Sequence, residues 1–216
     1  MSRSTRWTIA VLIVVAALAV ALWRELGTPE QTPDAGQGPA VAREHRDADT
    51  PEALAGPRAQ AALPPCPGDD SGPVNENLRD VTVECAADGT RVDVGRAVAG
   101  RPTVLNLWAY WCGPCADELP AMAEYQRRMG DDVQVVTVHQ DENETAGLLR
   151  LAELGVHLPT LQDGRRLVAA ALSVPNVMPA TVVLRADGSV AKVLPRSFAS
   201  ADEIAAAVNT EIAPQR

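Results

Sequence analysis

The hydrophobic pattern divides the chain into three stretches. Residues 7–23 carry no charge and are mostly Ala, Val, Leu and Ile, with Arg3 and Arg6 before them and Arg24 and Glu25 after. As a helix this run would span roughly 25 Å, the short end for a bilayer crossing. Trp7 and Trp23 stand at its two ends, where interfacial aromatics sit, and basic residues on the amino side favour a cytoplasmic N-terminus. Two readings stay open. An uncleaved anchor is preferred, because the run is longer than a usual signal core. A cleaved signal peptide is the rival, since Ala17-Leu18-Ala19 and Ala19-Val20-Ala21 offer small-x-small sites. Either reading exports the remaining chain, and no cysteine lies close enough to suggest a lipoprotein.

Residues 24–64 read as a linker. From Gly27 to Pro64 the chain is rich in proline and glycine, has no aromatic residue, and offers only Val41, Leu54 and Leu63 as large aliphatics. Such a segment buries too little to offset chain entropy, so a disordered tether is expected, stiffened by its prolines. His45 lies here among charges and reads as solvated.

Residues 65–216 read as the folded domain. Val81-Thr82-Val83 and Arg91-Val92-Asp93-Val94 alternate around Ala87-Asp88-Gly89, which predicts a β-hairpin. Thr103-Val104-Leu105-Asn106-Leu107-Trp108 predicts a buried strand, and residues 133–138 another. Helices are expected over 112 to about 129 and over 145–154, the latter with apolar positions 148, 149, 151, 152 and 154. Thr181-Val182-Val183-Leu184 and residues 190–194 flank Ala186-Asp187-Gly188-Ser189 as a second hairpin. Residues 200–212 close as a helix, with Ser200 as N-cap and Glu203 completing a capping box. The order predicts an α/β domain with a mixed central sheet and helices on both faces.

The 216 residues carry 19 basic and 28 acidic side chains, a net charge of −9, against the basic footprint that a nucleic-acid binder needs. The chemistry concentrates at Cys112-Gly113-Pro114-Cys115. Two cysteines three apart at a strand-to-helix junction can close a small disulfide. Cys112, at the helix N-terminus, gains from the free N–H groups and the dipole, which stabilise a thiolate and make it the attacking sulfur. Cys115, one turn in, is shielded and resolves the mixed disulfide. Gly113 allows the tight entry and Pro114 suits the first turn. Zinc would need two further ligands in register, and residue 116 is Ala rather than the His of a c-type haem motif. No cofactor or metal is expected. Cys66 and Cys85 remain, and exported thiols normally pair. A bridge between them would close about 20 residues, worth on the order of 3 kcal/mol. A second redox pair or two free thiols are the alternatives.

Residues 108–115, Trp-Ala-Tyr-Trp-Cys-Gly-Pro-Cys, resemble the thioredoxin signature, and the longer string from Asn106 to Glu118-Leu119-Pro120 resembles the membrane-tethered TlpA/ResA-type thiol–disulfide oxidoreductases. An acidic, anchored chain with an extra cysteine pair looks like the actinobacterial members. The resemblance covers about residues 78–212 and implies a thioredoxin-like fold with an N-terminal β-hairpin and a central helical insertion, formed by the 145–154 helix and the stretch around His157-Leu158-Pro159. Thioredoxins carry a buried Asp where this chain has Asn106, which takes no proton. In the resembling branch a Glu at the place of Glu118 tunes the cysteines and assists proton transfer. The alternative for Glu118 is a solvated surface acid. Pro120 matches a helix-kinking proline. Pro179 matches a cis-proline that packs beside the disulfide and leaves Met178 backbone groups free for an extended client. Trp108 is expected in the core and Trp111 on the apolar rim of the site. His139 and His157 read as loop histidines, though His139 could approach the active edge.

The leading expectation is an extracytoplasmic, membrane-anchored monomer that reduces protein disulfides. The Gly-Pro dipeptide is that of reducing thioredoxin. Such a reductase needs a membrane electron-transfer partner of CcdA/DsbD-like type, and by resemblance its clients include apocytochromes c. A disulfide-forming oxidase, a thiol peroxidase and a non-catalytic binding module are the alternatives.

Overall fold

The computed structural model describes residues 49–68 and 72–212. The expected anchor at 7–23, most of the linker, and His45 lie outside the described residues. Among the described residues no helix is long and apolar enough to cross a membrane.

Among the described residues, seven strands form one mixed sheet in the order β2-β1-β5-β4-β3-β6-β7. They are β1 Thr82–Cys85, β2 Arg91–Asp93, β3 Thr103–Trp108, β4 Gln134–His139, β5 Thr160–Gln162, β6 Ala180–Leu184 and β7 Val190–Leu194. β3, β4 and β5 run parallel, while β1–β2, β1–β5, β3–β6 and β6–β7 are antiparallel. Every residue of β3 and β4 is buried, so both read as continuous apolar runs rather than alternating ones. Their alternate side chains serve two cores. Leu105, Leu107, Val136 and Val138 face one, with Val168 and Leu172. Val104, Trp108 and Val135 face the other, with Leu119, Met122, Ile204 and Val208.

The helices are α1 Pro51–Ala61, α2 Val94–Ala97, α3 Gly113–Met129, α4 Glu144–Leu154, α5 Leu167–Ala171 and α6 Ala201–Ile212. Both hairpins form, with Gly89 at φ +79 and Gly188 at φ +82 supplying the left-handed turn residue. The strand expected to include Val94 stops at Asp93, whose carboxylate accepts from Arg96 N–H and caps α2. The Ser200 hydroxyl accepts from Glu203 N–H at 3.3 Å, but the Glu203 carboxylate reaches back to Ala199 N–H at 2.9 Å. The capping box therefore closes one residue earlier than the pattern predicts.

The tether is a helix over part of its expected range. Residues 51–61 form α1, with Thr50 as N-cap and Pro51 in its first turn. Leu54 and Ala61 are buried against Ala86 and Leu148, and Leu63 packs beside them. Arg58 donates to Glu144 Oε1 at 2.9 Å and to the Ala86 carbonyl at 3.2 Å. The His157 Nδ1–H donates to the Ala61 carbonyl at 3.0 Å and satisfies the end of the helix. Few large aliphatics suffice here, because Leu54 is joined by Ala61 and by a shielded ion pair in docking the helix.

That ion pair should carry much of the docking. Arg58→Met leaves the Glu144 carboxylate, only 4% exposed, buried without a partner, a loss of about 3 kcal/mol. Urea unfolding should show this loss, and Arg58→Met/Glu144→Leu should recover a large part of it. Equal stability of single variant and wild type would mean that α1 docks by apolar contact alone.

Candidate functional site

The site is built where β3 hands over to α3. Gln140 N–H donates to the Trp108 carbonyl at 2.8 Å, and Cys112 N–H donates to the Ala109 carbonyl at 3.0 Å, closing a tight turn over 109–112. Cys112 is the N-cap of α3, with extended backbone, and its Sγ accepts from Cys115 N–H at 3.3 Å. Its sulfur therefore occupies the place where a helix presents unpaired N–H groups. Cys112 and Cys115 are bonded, with Cα atoms 5.2 Å apart. Cys112 is 5% exposed and Cys115 is 0%, so the asymmetry runs in the direction needed for one attacking and one shielded sulfur. Gly113 and Pro114 are exposed in the first turn. A Cβ on Gly113 would meet open space; the tight entry does not require glycine there, and the bare backbone leaves room beside Cys112.

Trp108 is fully buried, whereas Trp111 is 58% exposed. The Trp111 indole N–H donates to Asp141 Oδ2 at 3.0 Å, which fixes an exposed aromatic next to the reactive sulfur. Met178 packs against the cluster that holds both cysteines, Val177 beside it is 44% exposed, and the Met178–Pro179 peptide bond is cis. Pro120 lies inside α3.

Glu118 is not a surface acid. It is 0% exposed on the inner face of α3, and neither carboxyl oxygen makes a hydrogen bond of normal geometry. Burial raises its pKa from 4.5 to about 8; nearby Asn106, the Phe198 backbone and Arg196 favour the anion less strongly than burial opposes it, and Glu203 adds to the rise. Arg196 stacks over the Phe198 ring at 4.1 Å and pairs with Glu203, so the β7–α6 loop and the first turn of α6 bring these charges to the buried carboxyl. Asn106 stands on β3 between Thr181 of β6 and Thr137 of β4, and Thr137 adjoins Thr160 of β5. A polar stripe thus crosses the sheet on the face under α3. Thr137 and Thr160 share a 2.8 Å hydrogen bond. The side-chain atoms of Asn106 and the Thr181 hydroxyl, like those of Glu118, are buried without partners.

Cys66 and Cys85 form the second disulfide, with Cα atoms 5.8 Å apart, tying the chain just beyond α1 to the end of β1. Cys85 is fully buried and Cys66 partly so. His157 holds α1 through its bond to the Ala61 carbonyl. His139 ends β4, is buried, and packs on Trp108 with ring centroids 4.8 Å apart. It therefore reaches the active edge and is no loop residue. Asp141, Gln162, Arg196 and Phe198 were not singled out by the sequence. They lie far along the chain from the motif, and only the fold brings them to it.

The Redoxin profile matches residues 73–206. Over 108 residues the chain is 32% identical to the thiol-disulfide oxidoreductase ResA of Bacillus subtilis, covering 50% of this chain and 59% of ResA, less than two thirds of that relative. A secreted Mycobacterium tuberculosis disulfide oxidoreductase homologous to E. coli DsbE superposes with a TM-score of 0.54 at 26% identity, covering 62% of this chain and 98% of that one. A DsbF homologue from Corynebacterium diphtheriae gives a TM-score of 0.53 at 25% identity, over 64% and 85%. The fold is thioredoxin-like.

The buried carboxyl makes a sign-definite statement about stability. Its folded pKa of about 8 exceeds the unfolded value of 4.5, so its contribution is complete below the unfolded value and is lost as pH rises through the folded one. Between pH 5 and 8.5 the oxidised wild type should lose about 4 kcal/mol relative to Glu118→Gln, read from urea midpoints. Parallel pH profiles would place Glu118 in contact with water.

Proposed function

Because this chain belongs to the Redoxin family, we propose that it is an extracytoplasmic thiol–disulfide oxidoreductase that reduces disulfides of client proteins, apocytochromes c among them. The observation that carries the reading is the dithiol at the head of α3, with one cysteine slightly exposed, its partner sealed, and a buried carboxyl one helical turn further on. In the reduced form the Cys112 thiolate attacks a client disulfide, forming a mixed disulfide and expelling one client thiolate. Cys115 then gives up its proton and attacks the Cys112 sulfur. The second client thiolate leaves, and the protein is left as the disulfide, two electrons poorer. Glu118 serves as proton acceptor for Cys115, since a group titrating near 8 can take and return a proton around neutral pH. Trp111, Met178 and Pro179 line the place of the client strand, with Gly113 and Pro114 leaving it open.

Return to the dithiol needs two electrons and two protons from a partner of CcdA/DsbD-like type. Residues 7–23 are the anchor that keeps the domain beside it, outside the membrane. The likeness to a secreted mycobacterial protein supports export, and the Mycobacterium and Corynebacterium relatives support an actinobacterial member. The chain acts as a monomer.

Cys115→Ser should accumulate mixed disulfides with clients on non-reducing gels, and Cys112→Ser should not. Equal trapping by both would undo the division of labour. The reduction potential of the couple should lie near the thioredoxin value of about −270 mV. A value near that of DsbA, about −120 mV, would make the protein an oxidant. Cys66–Cys85 should stay closed at potentials that open Cys112–Cys115. Joint opening would make it part of the relay.

A further inference from the structure

The two residues immediately before Cys112 are held by the last residue of β4 and by the loop that follows it. Tyr110 N–H donates to His139 Nε2 at 3.4 Å. A nitrogen that accepts carries no proton, so the neutral ring has its hydrogen on Nδ1, and Nδ1–H donates to Gln162 Oε1 at 2.8 Å. The Gln162 amide in turn donates to the Asp141 carbonyl at 2.6 Å, and Asp141 accepts the Trp111 indole. The chain of bonds leaves the 109–112 turn through a backbone N–H and returns to it through a side chain. The ring cannot drift. Trp108 lies against it, Tyr110 is 6.1 Å away, and a Cβ on Gly147 of α4 would come within 2.8 Å of its Cε1.

We propose that His139, oriented by Gln162 and accepting from Tyr110 N–H, is a positioning residue that holds the turn carrying Cys112 in its attacking geometry. The inference rests on Cys112 being the attacking sulfur. It also gives the site a second, acid-side dependence. Protonation makes Nε2 a donor, which then faces the Tyr110 N–H, so the bond is lost. Burial pushes the His139 pKa below its ordinary 6.5, opposed by the Gln162 bond and the Asp141 charge. The other acid near the ring is Glu144, which lines the same small hollow and is paired with Arg58. The release therefore falls at acid pH, well separated from Glu118.

Two substitutions of similar size separate the ring's two bonds. Asn places its amide where Nδ1 stands and loses the Nε2 acceptor, whereas Gln reaches the Nε2 position with an acceptor that does not titrate. The readout is the single-turnover rate of the reduced full chain with insulin disulfides, divided by the Cys112 thiolate fraction. At pH 7.5 His139→Asn should lose about tenfold, and His139→Gln should restore the rate to within about threefold of wild type. Below the ordinary histidine value of about 6.5 the wild-type rate should fall, and that of His139→Gln should not. Equal rates for the Asn and Gln variants, or one acid limb shared by wild type and Gln, would overturn the proposal. NMR of the unaltered chain tests it without substitutions: the His139 ring should be protonated at Nδ1 at neutral pH, and the Tyr110 amide should shift on acidification together with the ring. A ring protonated at Nε2 would equally overturn it. Failure of the functional reading is seen separately, as no mixed disulfide from Cys115→Ser at any pH, and it removes the reaction that His139 serves.

Discussion

The capping of α3 by Cys112 is the constraint on which the rest of the site depends. A helix N-terminus leaves N–H groups without partners, and here a sulfur is placed among them. The position demands a strand that ends sharply, a turn that reverses within four residues, and a helix that starts at once. β3 meets the first demand by being buried along its whole length between β4 and β6. The second is met by the bonds of residues 109–112 to β4 and the loop beyond it. Pro114 meets the third, since it has no N–H to leave unsatisfied in the first turn.

Placing the resolving sulfur one turn inward has a consequence for protons. Cys115 is sealed from water, so its proton needs a local acceptor. Glu118 is the ionisable carboxyl on the same inner face of α3, and its burial without hydrogen-bonding partners is costly. Stability alone would favour an apolar residue there. The same burial brings its titration near neutral pH, where a proton relay is useful. The polar stripe of Asn106, Thr137, Thr160 and Thr181 lies along the sheet beneath it. The Cys66–Cys85 bridge ties the chain beyond α1 to the end of β1, with Arg58 fixing Glu144 at the start of α4.

The sequence made the centre of this arrangement legible and its margins much less so. β3, β4 and α3 announce themselves by apolar runs and by Cys-Gly-Pro-Cys, because their residues are buried by the elements next to them. β5 is three residues long and exists through its ladders to β1 and β4, which no local pattern encodes. α1 carries a weak apolar face and two prolines, and it forms on docking to α4 and the end of β1. For Glu118 a surface position stays open in the sequence as the alternative, since helical spacing gives a direction but not what covers it; Phe198, eighty residues on, supplies part of the cover. His139 is followed by Gln140, Asp141, Glu142 and Asn143 and so resembled a loop residue, although β4 carries it under the active turn.

In the reduced chain, helix capping should lower the pKa of the Cys112 thiol, while burial beside Glu118 should raise that of Cys115. Thiolate absorbance of the reduced chain, followed from pH 4 to 11, tests this most directly. Two steps should appear on either side of the free-cysteine value of about 8.5. The lower step should persist in Cys115→Ser, and the upper one should move down in Glu118→Gln as the carboxylate's repulsion is removed. A single transition near 8.5, unchanged by Glu118→Gln, would contradict the account.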